Sequence, residues 1–201
     1  MPKATVIDYG VGNLFSMSNA LRKAGLGVEI AEEPTRLRGP EAVVLPGVGN
    51  FGAAAANLEP FREALKEAVD DGTPLLGSCL GMQLLFDSSE ESPGIGLGFL
   101  PGVVKRFRGD VKTPHMGWNT IEPNRDSPIL DGVEPGSYFY FVHSYYPEPA
   151  DLRDTLASTC YGGEFASIVE RGVVYGAQFH PEKSGEPGAR LLANFAELVK
   201  R

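Results

Sequence analysis

Pro74-Leu75-Leu76-Gly77-Ser78-Cys79-Leu80-Gly81-Met82-Gln83-Leu84-Leu85-Phe86 passes from a short apolar run, through a cysteine with glycine two residues to either side, into a helix-like apolar segment. A strand that hands over to a helix here forms a tight, strained turn, and the flanking glycines remove the Cβ atoms that would clash. The turn pushes the thiol out of the sheet edge and sets it at a helix N-terminus. Partial positive charge there favours the thiolate, which is the nucleophile. Free cysteine is also among the most buried and inert residue types. The stretch therefore dictates a strand-turn-helix and nominates Cys79; its partners decide the chemistry.

Working back from the turn, strand and helix patterns alternate. Residues 4–8, 28–30 and 42–45 read as short buried strands. A helix between the first two has Asn13 as N-cap, Leu14, Met17, Leu21 and Ala24 on one face, and Gly25 as its stop. Residues 53–69 read as an amphipathic helix that Pro60 is placed to break in two. This alternation predicts an α/β, flavodoxin-like fold: a mixed, mostly parallel central sheet flanked by helices. Beyond Gly102 the pattern changes to strands at 103–107, 138–142, 156–160, 166–169 and 173–176, joined by Gly- and Pro-rich turns. They form an additional antiparallel region, and a helix from about residue 189 to 200 closes the chain.

At 201 residues, with no repeat or linker, the chain reads as a single domain, 1–201. The net charge of −8 and the lack of any basic run argue against nucleic acid. No apolar stretch would span a bilayer, and no leader pattern precedes the first strand, so a cytoplasmic protein is expected. Two cysteines, Cys79 and Cys160, make no disulfide framework, and no Cys/His spacing suggests a metal. No cofactor is expected.

Downstream, Gln178-Phe179-His180-Pro181-Glu182-Lys183 follows the last strand. In extended backbone residues i and i+2 share a side, so His180 and Glu182 face one way. The carboxylate fixes the imidazole tautomer, and the other ring nitrogen serves the thiol as base and the leaving amine as acid. Both segments end strands, where open α/β sheets place their chemistry. Taken singly, His180 is a loop histidine and Glu182 a surface acid; together with the turn at Cys79 they form a triad. Oxyanion donors are expected from the Leu80 N–H and from Pro46-Gly47-Val48-Gly49, where the glycines, Gly49 among them, permit a peptide flip that aims the Val48 N–H at the oxyanion. On its own that segment reads first as a simple turn.

These motifs together resemble class I glutamine amidotransferases. Six segments carry the resemblance, in family order: Ile7-Asp8-Tyr9-Gly10-Val11-Gly12-Asn13-Leu14, Leu45-Pro46-Gly47-Val48-Gly49-Asn50-Phe51-Gly52, the cysteine turn, His115-Met116-Gly117-Trp118-Asn119, Tyr140-Phe141-Val142-His143-Ser144-Tyr145-Tyr146, and Gln178 through Ser184. The first, fourth and fifth single out the subgroup that serves imidazole glycerol phosphate synthase. The resemblance implies a glutaminase that forms a Cys79 thioester and passes ammonia to a separate (β/α)8-barrel cyclase subunit in a heterodimer. It further implies glutamine binding by Gln83 and Glu91, with His143, Ser144 and Tyr145 around the α-carboxylate. Asn13, Trp118, Tyr140 and Lys183 match positions at the synthase interface. Ser78 departs from the family, which is apolar there; its hydroxyl is expected to turn into the sheet and bond backbone. Other amidotransferase glutaminases, a standalone cysteine hydrolase and a non-catalytic subunit are the competing readings.

Overall fold

The computed structural model describes residues 1–37 and 39–200. The alternating half becomes β1 (Lys3–Ile7), α1 (Leu14–Lys23), β2 (Gly27–Ala31), β3 (Val43–Gly47), α2 (Phe51–Leu58), α3 (Arg62–Asp70), β4 (Leu75–Cys79) and α4 (Leu80–Gln83). Asn13 caps α1, accepting from the Ser16 N–H at 3.0 Å, and Met17 and Leu21 face inward. Pro60 does divide the long helical stretch: a 3-10 turn at Glu59–Phe61 separates α2 from α3.

The second half adds β5 (Ser88–Ser89), β6 (Gly102–Arg106), β7 (His115–Thr120), β8 (Glu122–Pro123), β9 (Tyr138–His143), β10 (Tyr145–Pro149), β11 (Thr155–Cys160), β12 (Glu164–Arg171), β13 (Val174–Ala177) and α5 (Gly185–Val199). The main sheet has eight strands in the order β2-β1-β3-β4-β13-β12-β11-β8. The first five of these are mutually parallel, and the last three continue the sheet antiparallel. Alternate residues serve opposite faces: Val44, Leu76 and Tyr175 pack with α1 and α5, while Val43, Leu45, Leu75 and Val174 pack with α2 and α3. Burial on both faces is why these strands read as unbroken apolar runs. Two small sheets, β10-β6-β5 and the ribbon β7-β9, stand beside the main one.

Three local expectations need correction. The helix after Cys79 is a single turn, not a run through Phe86, because the Leu84 and Leu85 carbonyls accept from the Leu97 and Leu100 N–H groups (2.7 and 3.1 Å). The last helix starts at Gly185, since Pro187 is harmless in a first turn, where its missing N–H has no helical partner. Strand β7 carries Gly117 and Asn119, which conceal it from propensity; its pairing with β9 makes it a strand.

Candidate active site

Cys79 sits at φ 53°, ψ −111°, and is the one non-glycine with positive φ among the described residues. Such a conformation costs on the order of 1–3 kcal/mol and persists only where the surroundings enforce it. The enforcement is visible at the glycines. A Cβ on Gly81 would lie 1.8 Å from the Leu45 carbonyl oxygen, and one on Gly77 would lie 2.7 Å from that of Gly81. The turn is thus wedged between β3 and β4. Because α4 has only four residues, aligned helix dipoles contribute little at the sulfur, contrary to expectation.

Strand β13 runs parallel to β4 with Ala177 level with Ser78, so the chain beyond Ala177 emerges beside Cys79. His180 is held there by its own N–H, which donates to the Tyr140 carbonyl of β9 at 3.0 Å. Its Nδ1 lies 3.0 Å from Glu182 Oε1, both side chains being buried. The contact forms in a 3-10 turn, Pro181–Lys183, not in the extended backbone the alternation implied. Burial alone would lower the imidazole pKa, but the nearby sulfur of Cys79 and the hydrogen-bonded carboxylate of Glu182 raise it to about 9. His180 Nε2 is buried with no hydrogen-bond partner within the protein, and His180 lines one cavity with Cys79. The sulfur itself lies 3.9 Å from the Val142 carbonyl oxygen and 3.8 Å from Gln178 Nε2. Ser78 Oγ turns inward toward the Phe179 carbonyl at 3.5 Å, as expected.

The cavity has a volume of about 370 Å³. Val48, Gly49 and Leu80 form the wall next to Cys79. Gly49 has φ 113°, which demands glycine, and its surroundings are open. By contrast Tyr9, deeply buried, donates its hydroxyl to the Pro46 carbonyl at 2.6 Å and anchors the start of that segment. Burial, with the charge at Cys79, pushes the Tyr9 phenol far above its usual pKa, so it remains a donor.

Gln83, Glu91 and residues 143–145 also line the cavity. Glu91 Oε2 accepts from the Phe51 N–H at 2.6 Å, so this carboxylate also caps α2. His143 lines it as a neutral imidazole at pH 7. Burial, against the raising effect of the Tyr145 carbonyl, takes its pKa down to about 3. Its ring bonds the Tyr145 carbonyl through Nδ1 (2.8 Å) and His115 through Nε2 (3.0 Å). Burial lowers His115 to about 4. Pro114, Val142, Gln178 and His115 belong to the site or its support and were not anticipated.

Of the expected interface positions, Trp118 is 55 % exposed, Lys183 and Asn13 are exposed, and Tyr140 is half-buried. Trp118 and Tyr140 are paired across the β7-β9 ribbon with ring centroids 5.9 Å apart. Asn13 has the additional task of capping α1. A larger groove, about 1100 Å³, opens beside Glu182 between α1 and α5, and neither Cys79 nor His180 lines it. No helix of the described residues is long and apolar enough to cross a membrane.

Residues 5–198 match the family glutamine amidotransferase class-I. The chain is 49% identical over 199 residues to the imidazole glycerol phosphate synthase subunit HisH of Thermococcus kodakarensis, covering 96% of this chain and 98% of that protein. It is 48% identical over 196 residues to the protein of the same name from Methanothermobacter thermautotrophicus, covering 97% and 98%. Among solved structures it resembles PurLQS from Thermotoga maritima, with a TM-score of 0.80, 20% identity and coverage of 98% and 99%. A crystal structure of a glutamine amidotransferase aligns with a TM-score of 0.77 at 21% identity, covering 98% and 99%. These last two similarities concern the fold. The chain belongs to the class-I glutamine amidotransferase family.

Proposed function

From this membership and the geometry around Cys79, we propose that the chain, acting as one domain, is the glutaminase subunit of imidazole glycerol phosphate synthase in histidine biosynthesis. It hydrolyses glutamine to glutamate and ammonia and hands the ammonia to a cyclase subunit. The observation that carries the chemistry is the strained Cys79 facing the same cavity as His180, whose far nitrogen is braced by Glu182.

A pKa of about 9 makes imidazolium the neutral-pH form of His180, with its proton drawn from the thiol. The thiolate attacks the carboxamide carbon, and the carbonyl electrons move to oxygen. N–H groups of the wall formed by Val48, Gly49 and Leu80 receive that oxyanion, once the Val48–Gly49 peptide is turned toward it. On collapse of the intermediate, imidazolium gives its proton to the departing nitrogen and ammonia leaves a γ-glutamyl thioester. Water, deprotonated by the now neutral His180, cleaves the thioester to glutamate, and the sulfur departs as thiolate. Glu91 is the carboxylate available to the substrate's α-ammonium, and the backbone at residues 143–145 faces its α-carboxylate.

The cyclase, a (β/α)8 barrel in a heterodimer, docks on the outer face of the β7-β9 ribbon. Register puts Met116, Trp118 and Thr120 beside Val142, Tyr140 and Tyr138 on that face, and Met116 and Tyr138 are 63 % and 59 % exposed. A cluster of this kind on one small sheet is characteristic of an interaction surface. The inner edge of the same strand holds His180 through Tyr140 and approaches Cys79 through Val142, so docking bears directly on the catalytic groups. The protein works in the cytoplasm, with no cofactor.

Glutamate release with and without the cyclase and its nucleotide ligand tests the reading. Strong stimulation by the cyclase is expected; equal, high rates in both cases remove the coupling. Cys79→Ala is expected to abolish glutamine-dependent synthesis while the complex still uses added ammonium salt. Surviving glutamine-dependent synthesis would show that the nucleophile lies elsewhere.

A further inference from the structure

The polar groups behind the cavity form one chain whose hydrogen-bond directions can be derived from a single atom, the Tyr145 carbonyl oxygen, which can only accept. His143 Nδ1, 2.8 Å away, must therefore carry its proton. A neutral His143 then has a bare Nε2, which accepts from His115 Nδ1 at 3.0 Å. His115 in turn has a bare Nε2 facing the Asn119 side-chain amide nitrogen at 3.2 Å. On the other side of the carbonyl, Gln83 must present its amino group at 2.9 Å. The second hydrogen of that amino group goes to Gln178 Oε1 at 3.1 Å. Oxygen is thereby committed at one end of the Gln178 amide, and its Nε2 is turned to Cys79 Sγ at 3.8 Å. Gln178 is fully buried and cannot exchange this partner for water.

We propose that Gln178 is a catalytic residue whose side-chain N–H hydrogen-bonds the Cys79 thiolate, oriented for that task by Gln83 and the Tyr145 carbonyl. The two neighbours of the sulfur divide by protonation state. A thiol can donate to the Val142 carbonyl, whereas a thiolate can only accept; apart from the His180 imidazolium, Gln178 is the side chain that offers it an N–H. Hydrogen bonds to an ionised acceptor are roughly twice as strong as neutral ones. Gln178 therefore supplies the local stabilisation that the one-turn α4 cannot. It also gives Gln83 a second duty, because its amino group is spent on this orientation and only its Oε1 is left for the substrate.

The inference rests on Cys79 being the nucleophile proposed above, but its test needs neither glutamine nor a partner. In a Cys160→Ser background the full chain keeps one thiol, and its alkylation by iodoacetamide as a function of pH reports the thiolate. Gln178→Leu is expected to raise the pH midpoint by about one to two units, a ~10–100-fold loss of thiolate below the midpoint. Gln178→Glu, of the same shape but with oxygen toward sulfur, is expected to raise it further. A purely structural glutamine would lower the melting temperature without moving the midpoint. If Gln178→Leu does not fold, Gln178→Glu alone decides. An unmoved midpoint in the folded variants overturns the proposal. Failure of the glutaminase assay would instead strike the function, and leaves this titration readable.

Discussion

The turn at Cys79 and the β7-β9 ribbon meet at the same cavity but are built on opposite terms. The turn is jammed: Gly77 and Gly81 touch backbone, and Cys79 is held where few residues can be. The ribbon is two-faced, with Phe139, Phe141, His115 and His143 sealed inside and Met116, Trp118 and Tyr138 left uncovered outside. The difference teaches a division of labour. Cys79 is fixed by contacts that tolerate no change, while the strand with the uncovered outer face holds only the ends of polar groups.

The sharpest way to break that contrast is Gly81→Ala. A methyl 1.8 Å from the Leu45 oxygen cannot be housed without moving β3 or β4, so a destabilisation of roughly 3 kcal/mol or more is expected in urea unfolding. On the ribbon, Trp118→Ala should leave unfolding nearly unchanged and weaken cyclase binding by about 2 kcal/mol, some 30-fold, in a titration of the two subunits. An equal loss of fold at both sites would erase the distinction.

The interior of the ribbon adds a pH signature. His143 and His115, with pKa values near 3 and 4, take up protons in the unfolded chain before the native one as pH falls below about 6.5. Stability should therefore drop progressively as pH falls from about 6.5 to about 3, and less in His143→Gln. His180 works in the opposite sense. Its pKa near 9 gives stability that is complete below about 6.5 and lost as pH rises through 9. Denaturant midpoints across pH would separate the two. The smallest effect is expected at Ser78→Ala, whose hydroxyl makes only a 3.5 Å contact: under about 1 kcal/mol and little change in turnover.

The same contrast governs what could be read in advance. The turn was legible because its demands are local: glycine, cysteine and glycine at fixed spacing have few other uses. The break at Pro60, the Asn13 cap and the alternating half were legible for the same reason. Strand β7 was not, because Gly117 and Asn119 carry no strand signal and its partner lies some twenty residues away. Gln178 and His115 were hidden more deeply, since their roles depend on the groups that strand β9 and helix α4 bring to the Tyr145 carbonyl. The length of α4 was misjudged because Leu84, Leu85 and Phe86 look helical until the loop after them claims their carbonyls.

Tyr9 sets the scale of any motion at the cavity mouth. By gripping the Pro46 carbonyl it makes residue 46 a clamp, and α2, secured at Phe51 by Glu91, is a second clamp five residues later. Whatever rearranges between them is a bridge of four residues with both feet planted, about 14 Å when fully stretched. Such a span can turn a peptide over in place but cannot swing away from the sulfur, so access to Cys79 must be controlled by orientation and not by distance.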